Sequence, residues 1–152
     1  GQHPDLRLRL GGGDPQPALD ALAPGVRREV EPVLDDLGPG RLEDLPSRYR
    51  EATVSVLPSV DEAFGLVLVE SLASGTPVVC SRSGGMPEIV DDPAVGRVVA
   101  PDDAEALARG VCDALQLASD PATAARCAVH ASRWDWDNLG PLHEAAYARA
   151  RA

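Results

Sequence analysis

Residues 53–81 constrain the fold more than any other part of the chain. They read TVSVLPS, then VDEAFGLVLVESLASG, then TPVVCS. The first piece is β-branched, alternating and stopped by Pro58, as a strand should be. FGLVLVESLASG (64–75) predicts a helix closed by Gly75, a residue suited to a helix C-terminus. PVVCS (77–81) is a short apolar strand of the kind buried inside a parallel sheet. A strand, a helix and a second strand in that order predict a parallel crossover, which needs helical cover.

The flanking segments continue the alternation. LRLRL (6–10) reads as a strand ending in the turn GGGDPQP, and PALDALAPGVRREV as a short helix broken at Pro24 and Gly25. PVLDDLG is a weak strand closed by Gly38, and LEDLPSRYREA (42–52) a short helix. Downstream, GGMPEIV gives a turn and a short helix, GRVVAP a last strand, and DDAEALARGVCDALQLA an amphipathic helix with Asp102 and Asp103 in its N-cap region. Two further helices follow, the last interrupted by Gly140 and Pro141. The expectation is an α/β parallel sheet with helices on both faces, a domain over 1–133 and a C-terminal helix over 134–152 that packs back on it or toward another domain. In such sheets ligands bind at the carboxyl ends of the strands, beside helix N-termini.

Charge narrows the partners. A formal net charge of −10 argues against a nucleic-acid or anionic-membrane surface, which needs clustered Lys and Arg. A phosphate-bearing small ligand is still compatible, because backbone amides at a helix start hold phosphate without net positive charge. Cys80, Cys112 and Cys127 form no CxxC or Cys/His pattern, so they read as thiols in a reducing compartment, with neither a disulfide frame nor a zinc site. Nothing resembles a signal peptide or a membrane span, and the expected location is cytoplasmic.

The candidate chemistry lies in DEAFGLVLVESLASG (61–75). The run Gly65–Val69 is apolar enough to be buried, yet Glu62 precedes it and Glu70 ends it. The helix start at Gly65, Leu66 and Val67 offers free amides to an anion, and Glu70 follows about one turn later. A carboxylate accepts two hydroxyls well, as a ribose or hexose would present them. A bland account also fits: Ser59-x-x-Glu62 matches a capping box, and Glu70 could meet an arginine or water.

The wider segment LPSVDEAFGLVLVESLASGTPVVCSRSGGMPEIVDD resembles the donor-binding signature of retaining GT-B glycosyltransferases, glycosyltransferase family 4 in particular. The matching residues are Pro58-Ser59, Glu62, Phe64-Gly65, Glu70, Gly75, Pro77-Val78-Val79 and Gly84-Gly85-Met86-Pro87-Glu88. HPDLRLRLGGG upstream and RWDWDNL downstream extend the likeness over nearly the whole chain. The resemblance implies a Rossmann-like half of a GT-B fold that lacks its first strand and helix. It implies a hexosyltransferase-like enzyme using a UDP-, GDP- or ADP-linked sugar as substrate, with no cofactor and no metal. Glu62 would hold donor-sugar hydroxyls, backbone amides at Phe64, Gly65 and Leu66 would meet sugar and diphosphate, and Glu70 would bind the ribose. Gly40 and Arg41 would flank the base. Gly12 and Gly13 would line the interdomain cleft, an ordinary strand-to-helix turn being the alternative. Gly84 is expected to be a close-packing turn residue with a possible sugar contact.

The match departs from the family pattern in two places. Ala63 stands where a glycine is usual, which would cost about 1 kcal/mol if the position needs positive φ and nothing otherwise. The Gly-Arg…Lys-Gly segment that neutralises the leaving diphosphate in the family has no counterpart, nor has the acceptor domain. The expectation is therefore a chain inactive without a missing N-terminal part or a partner chain, or, as the alternative, a nucleotide-sugar-binding module without turnover. A nicotinamide dehydrogenase built on GGGDPQP is weak, because the GxGxxG spacing is lacking. Trp134 and Trp136 read as packing residues.

Overall fold

The computed structural model describes residues 6–11, 14–38 and 40–151. The chain divides into two compact units, Gly1–Leu45 and Pro46–Ala152.

In the first unit β1 (Leu8–Leu10) pairs in parallel with β2 (Leu34–Asp36), Leu8 facing Leu34 and Leu10 facing Asp36. Helices α1 (Gln16–Ala21) and α2 (Pro24–Val30) join them. The break expected at Pro24 and Gly25 falls just before them, because Pro24 starts α2, where its missing N–H costs nothing. Arg7 pins the strand pair through Asp35, with Nη2 donating to Oδ1 at 2.6 Å and Nε to Oδ2 at 3.3 Å.

The second unit holds most of the buried core. It begins with α3 (Leu45–Glu51), whose first residue closes the preceding unit, and carries a parallel sheet of order β3–β4–β5: Ser55–Leu57, Val78–Ser81 and Gly96–Val99. Helices α4 (Leu66–Ala73), α5 (Met86–Ile89), α6 (Ala104–Ala118), α7 (Thr123–Ala131) and α8 (Trp136–Ala150) complete it. Strand β4 is buried throughout, and its side chains alternate between two cores as period-two geometry requires. Val78 and Cys80 join Leu68, Leu72, Met86, Ile89 and Cys127 of α4, α5 and α7. Val79 joins Val99 and Ala114, under α6. Helices thus cover both faces of this sheet, as expected, and all strand pairings among the described residues are parallel. Among the described residues the ladders are β1–β2 in the first unit and β3–β4–β5 in the second.

Helix ends follow the sequence signals closely. Gly75 takes a left-handed φ of 88°, with its N–H donating to Leu72 O and that of Thr76 to Ser71 O. These two bonds make a Schellman motif that closes α4. Asp103 caps α6, its Oδ1 accepting from the Ala106 N–H at 2.8 Å.

Candidate functional site

The loops that follow β3 and β4 build the candidate site. Residues 60–65, which carry Glu62, have no regular secondary structure, yet their backbone is held at three successive points by residues 83–85. The Ser83 hydroxyl donates to the Val60 carbonyl. The Gly84 backbone lies so near Glu62 that a Cβ there would fall 1.7 Å from the Glu62 carbonyl oxygen. The Gly85 N–H donates to the Ala63 carbonyl at 3.1 Å. Gly84 is therefore a close-packing turn residue (φ 50°) that braces the Glu62 loop.

The loop delivers the chain into α4 through Gly65, which is left-handed at φ 92° and ψ 48°. That conformation suits glycine, and a side chain would also meet Met86 Cγ at 3.0 Å. No side chain caps α4, so its first amides are open to an outside acceptor. Since α4 begins at Leu66 and no helix starts between Ser59 and Glu62, the capping-box reading fails. Ala63 is outside the positive-φ set, so its replacement of the usual glycine brings no backbone strain.

The apolar run is buried on one side only. Leu68 and Leu72 are fully buried, while Leu66 is 65% and Val67 42% exposed and Glu70 faces outward. At 100° per residue an eight-residue helix presents both faces, so the expectation of burial along Gly65–Val69 holds for the inward positions alone. With Phe64 and Val60, the exposed side makes an apolar rim around the helix start.

Glu62 is half-buried, and among the described residues its carboxylate has no hydrogen-bond or ionic partner. Glu70 accepts from the Tyr49 hydroxyl at 3.3 Å and pairs with no arginine among the described residues. Burial first, and the Glu70 charge second, push the Tyr49 phenol up to about 12, keeping it a neutral donor. Sequence reasoning missed Tyr49 and Ser83. A tyrosine in a helical turn and a serine in a glycine turn carry no pattern that separates them from ordinary packing.

Two of the other expected site residues, Gly40 and Arg41, are described in the first unit. Arg41 is exposed and paired with its neighbour Glu43 at 2.8 Å, and Gly40 is exposed. Gly12 and Gly13 lie outside the described residues. Arg82, exposed at the end of β4, donates its backbone N–H to Val99 O at 2.8 Å. A groove of about 260 Å³ over α4 and α7, lined by Val69, Ala73, Ala128, Ala131 and Trp134 among others, includes none of the expected donor-site residues. Among the described residues no cluster of three His, Cys, Asp or Glu side chains is spaced to hold a metal ion. No helix among them is long and apolar enough to cross a membrane. Burial raises the thiols of Cys80 and Cys127 to about 11, which leaves them unreactive as nucleophiles.

A parallel sheet covered on both faces, with a helix start and two carboxylates beyond the ends of its strands, is an α/β scaffold of the kind that binds ligands at the carboxyl edge of the sheet. A family model described as "Glycosyl transferases group 1" matches residues 1–117, and the chain belongs to that family. It is 37% identical over 147 residues to a D-inositol 3-phosphate glycosyltransferase of Corynebacterium kroppenstedtii, covering 89% of this chain and 32% of the relative. Its counterpart in Streptomyces avermitilis is 35% identical over 163 residues, covering 98% and 34%. The chain thus spans about a third of the length of the curated relatives it matches. Among solved structures, sucrose-phosphate synthase of Thermosynechococcus elongatus superposes with a TM-score of 0.65 at 31% identity, over 94% of this chain and 39% of that one. Anabaena HepE, solved with UDP, gives a TM-score of 0.72 at 25% identity, over 95% and 42%.

Proposed function

We propose that this chain supplies the donor-binding part of a glycosyltransferase that moves a sugar from a nucleoside-diphosphate sugar to an acceptor with retention of configuration. The observation that carries the reading is the uncapped start of α4, flanked by the Glu62 carboxylate, which has no partner among the described residues, and by Glu70. The diphosphate would sit at the open amides of Gly65 and Leu66, where the helix dipole favours negative charge. Glu62 would hold hydroxyls of the donor sugar, and Glu70 the ribose hydroxyls. The names of the relatives, and the UDP bound by HepE, support a nucleotide sugar as the ligand class.

The chemistry follows from the charges. As the bond from the anomeric carbon to the diphosphate breaks, the sugar becomes oxocarbenium-like and its electron pair leaves with the phosphate. Helix amides would stabilise that charge, and Arg82, exposed at the end of β4, would be a cation placed to approach it. The acceptor hydroxyl attacks from the face the diphosphate leaves, and the departing phosphate oxygen takes its proton. No side-chain nucleophile enters the scheme. Acceptor contacts would be supplied from outside this chain.

The test is a thermal-shift panel of uridine, guanosine and adenosine diphosphates on the longest form of the protein, followed by titration. One diphosphate should raise the melting temperature, and Glu70→Ala should weaken its binding. Absence of any shift, or unchanged affinity in Glu70→Ala, would defeat the reading. Binding without sugar transfer in a form as long as the relatives would point to a non-catalytic binding module.

A further inference from the structure

We propose that Tyr49 is a positioning residue for the nucleotide end of the site: its hydroxyl fixes the orientation in which Glu70 receives the ribose. The inference rests on the ribose role proposed for Glu70.

Tyr49 is fastened at both ends to the helix that carries Glu70. Its backbone carbonyl, in the last turn of α3, accepts from Thr76 Oγ1 at 2.6 Å. Thr76 is 3% exposed and bonded in turn to Ser71 of α4, its N–H donating to Ser71 O at 3.0 Å and its carbonyl accepting from Ser71 Oγ at 3.2 Å. The phenol then reaches Glu70 Oε2 at 3.3 Å. The ring therefore spans a distance set by buried hydrogen bonds at one end, and a flexible exposed carboxylate lies at the other.

The donor is of a useful kind. A carboxylate offers about four lone-pair sites; one phenol occupies one of them and leaves Oε1 open for vicinal hydroxyls. A phenol also adds no charge. Glu70 keeps its full negative charge for the incoming O–H donors, and such charge-assisted bonds are roughly twice as strong as neutral ones. An arginine in the same place would hold both oxygens and neutralise them. Raised to about 12, the phenol stays protonated through the whole range in which an enzyme works. An exposed glutamate without this partner would have to give up rotamer freedom on binding.

The experiment is calorimetric titration of the longest form with the diphosphate that binds in the panel above, and with its 2′,3′-dideoxy counterpart. In wild type the ribose hydroxyls should matter, so the dideoxy ligand binds more weakly. Tyr49→Phe, which keeps the ring, should weaken the full diphosphate about three- to tenfold and leave the dideoxy ligand unchanged. Added to Glu70→Ala it should have no further effect, the non-additivity expected of residues acting as a unit. A merely structural tyrosine would weaken both ligands alike. Equal losses, or no loss, overturn the role of Tyr49 while Glu70→Ala still loses discrimination. If wild type itself does not distinguish the two ligands, the ribose reading of Glu70 fails first. Should Tyr49→Phe not fold, Thr76→Val, which frees the far end of the tyrosine, must show the same selective loss for the proposal to stand.

Discussion

A methyl group on Gly84 would lie 1.7 Å from the Glu62 carbonyl oxygen, and the obstacle is backbone, which cannot rotate away. Gly84 also sits at φ 50°, where a side chain is strained whatever the space. Gly84→Ala should therefore cost about 2–4 kcal/mol in denaturant unfolding and weaken donor binding by displacing Glu62. Ala63 gives the opposite test. Its backbone does not need glycine, so Ala63→Gly, which restores the residue usual in the family, should destabilise by about 0.4–1 kcal/mol through the freer unfolded chain. Stability equal to or above wild type would show that the position is strained after all. At this scale the two glutamates were legible because carboxylates beside an apolar run are conspicuous. Tyr49 and Ser83 were not, since their importance comes from contacts 21 and 23 residues away in sequence.

Elements were legible in kind and less so in extent. The helix expected at 64–75 occupies Leu66–Ala73, because Gly65 turns left-handed before it and Gly75 after it. The strand expected at 53–59 is Ser55–Leu57, the stretch that has a ladder partner. Helix α8 shows what sequence pattern leaves open. It runs for 15 residues with Pro141 inside and no buried residue, and Trp136, Leu142 and Tyr147 are exposed. Trp136, expected to pack, is 75% exposed, with its ring centroid 6.1 Å from that of His143, whereas half-buried Trp134 lies against the core and under the Arg133 guanidinium. An isolated helix of about 15 residues is marginal in water. Amides of α8 should accordingly exchange with solvent at least about tenfold faster than those of α6, which buries Gly110 and Ala114. Comparable protection in a hydrogen-exchange experiment would mean that α8 is covered in solution.

For the molecule as a whole, parallel α/β architecture followed from the order of strand and helix signals, while the pairing partners within each unit did not, because pairing depends on which edges meet. The division of the core has a measurable consequence. Among the described residues of the first unit only Leu19 is a buried apolar side chain, at 8% exposure, against thirteen buried apolar residues in the second. A two-stranded sheet is marginal by itself, so brief proteolysis under native conditions should nick within residues 6–45 and spare 53–131. First cuts in the three-stranded region would contradict that distribution. Within that region the ladder does more than hold strands together. Leu57 faces Cys80 across β3 and β4, and the two loops that form the site leave from just beyond this pair. A slip of one residue in register would carry one loop about 3.3 Å past the other and turn each strand's side chains to the wrong face. The contacts of Ser83, Gly84 and Gly85 with residues 60–63 would be lost together. The site thus acts as a gauge of correct assembly: a chain folded out of register loses its core packing and its capacity to bind in the same event, so a ligand that recognises the loops also selects for the properly folded molecule.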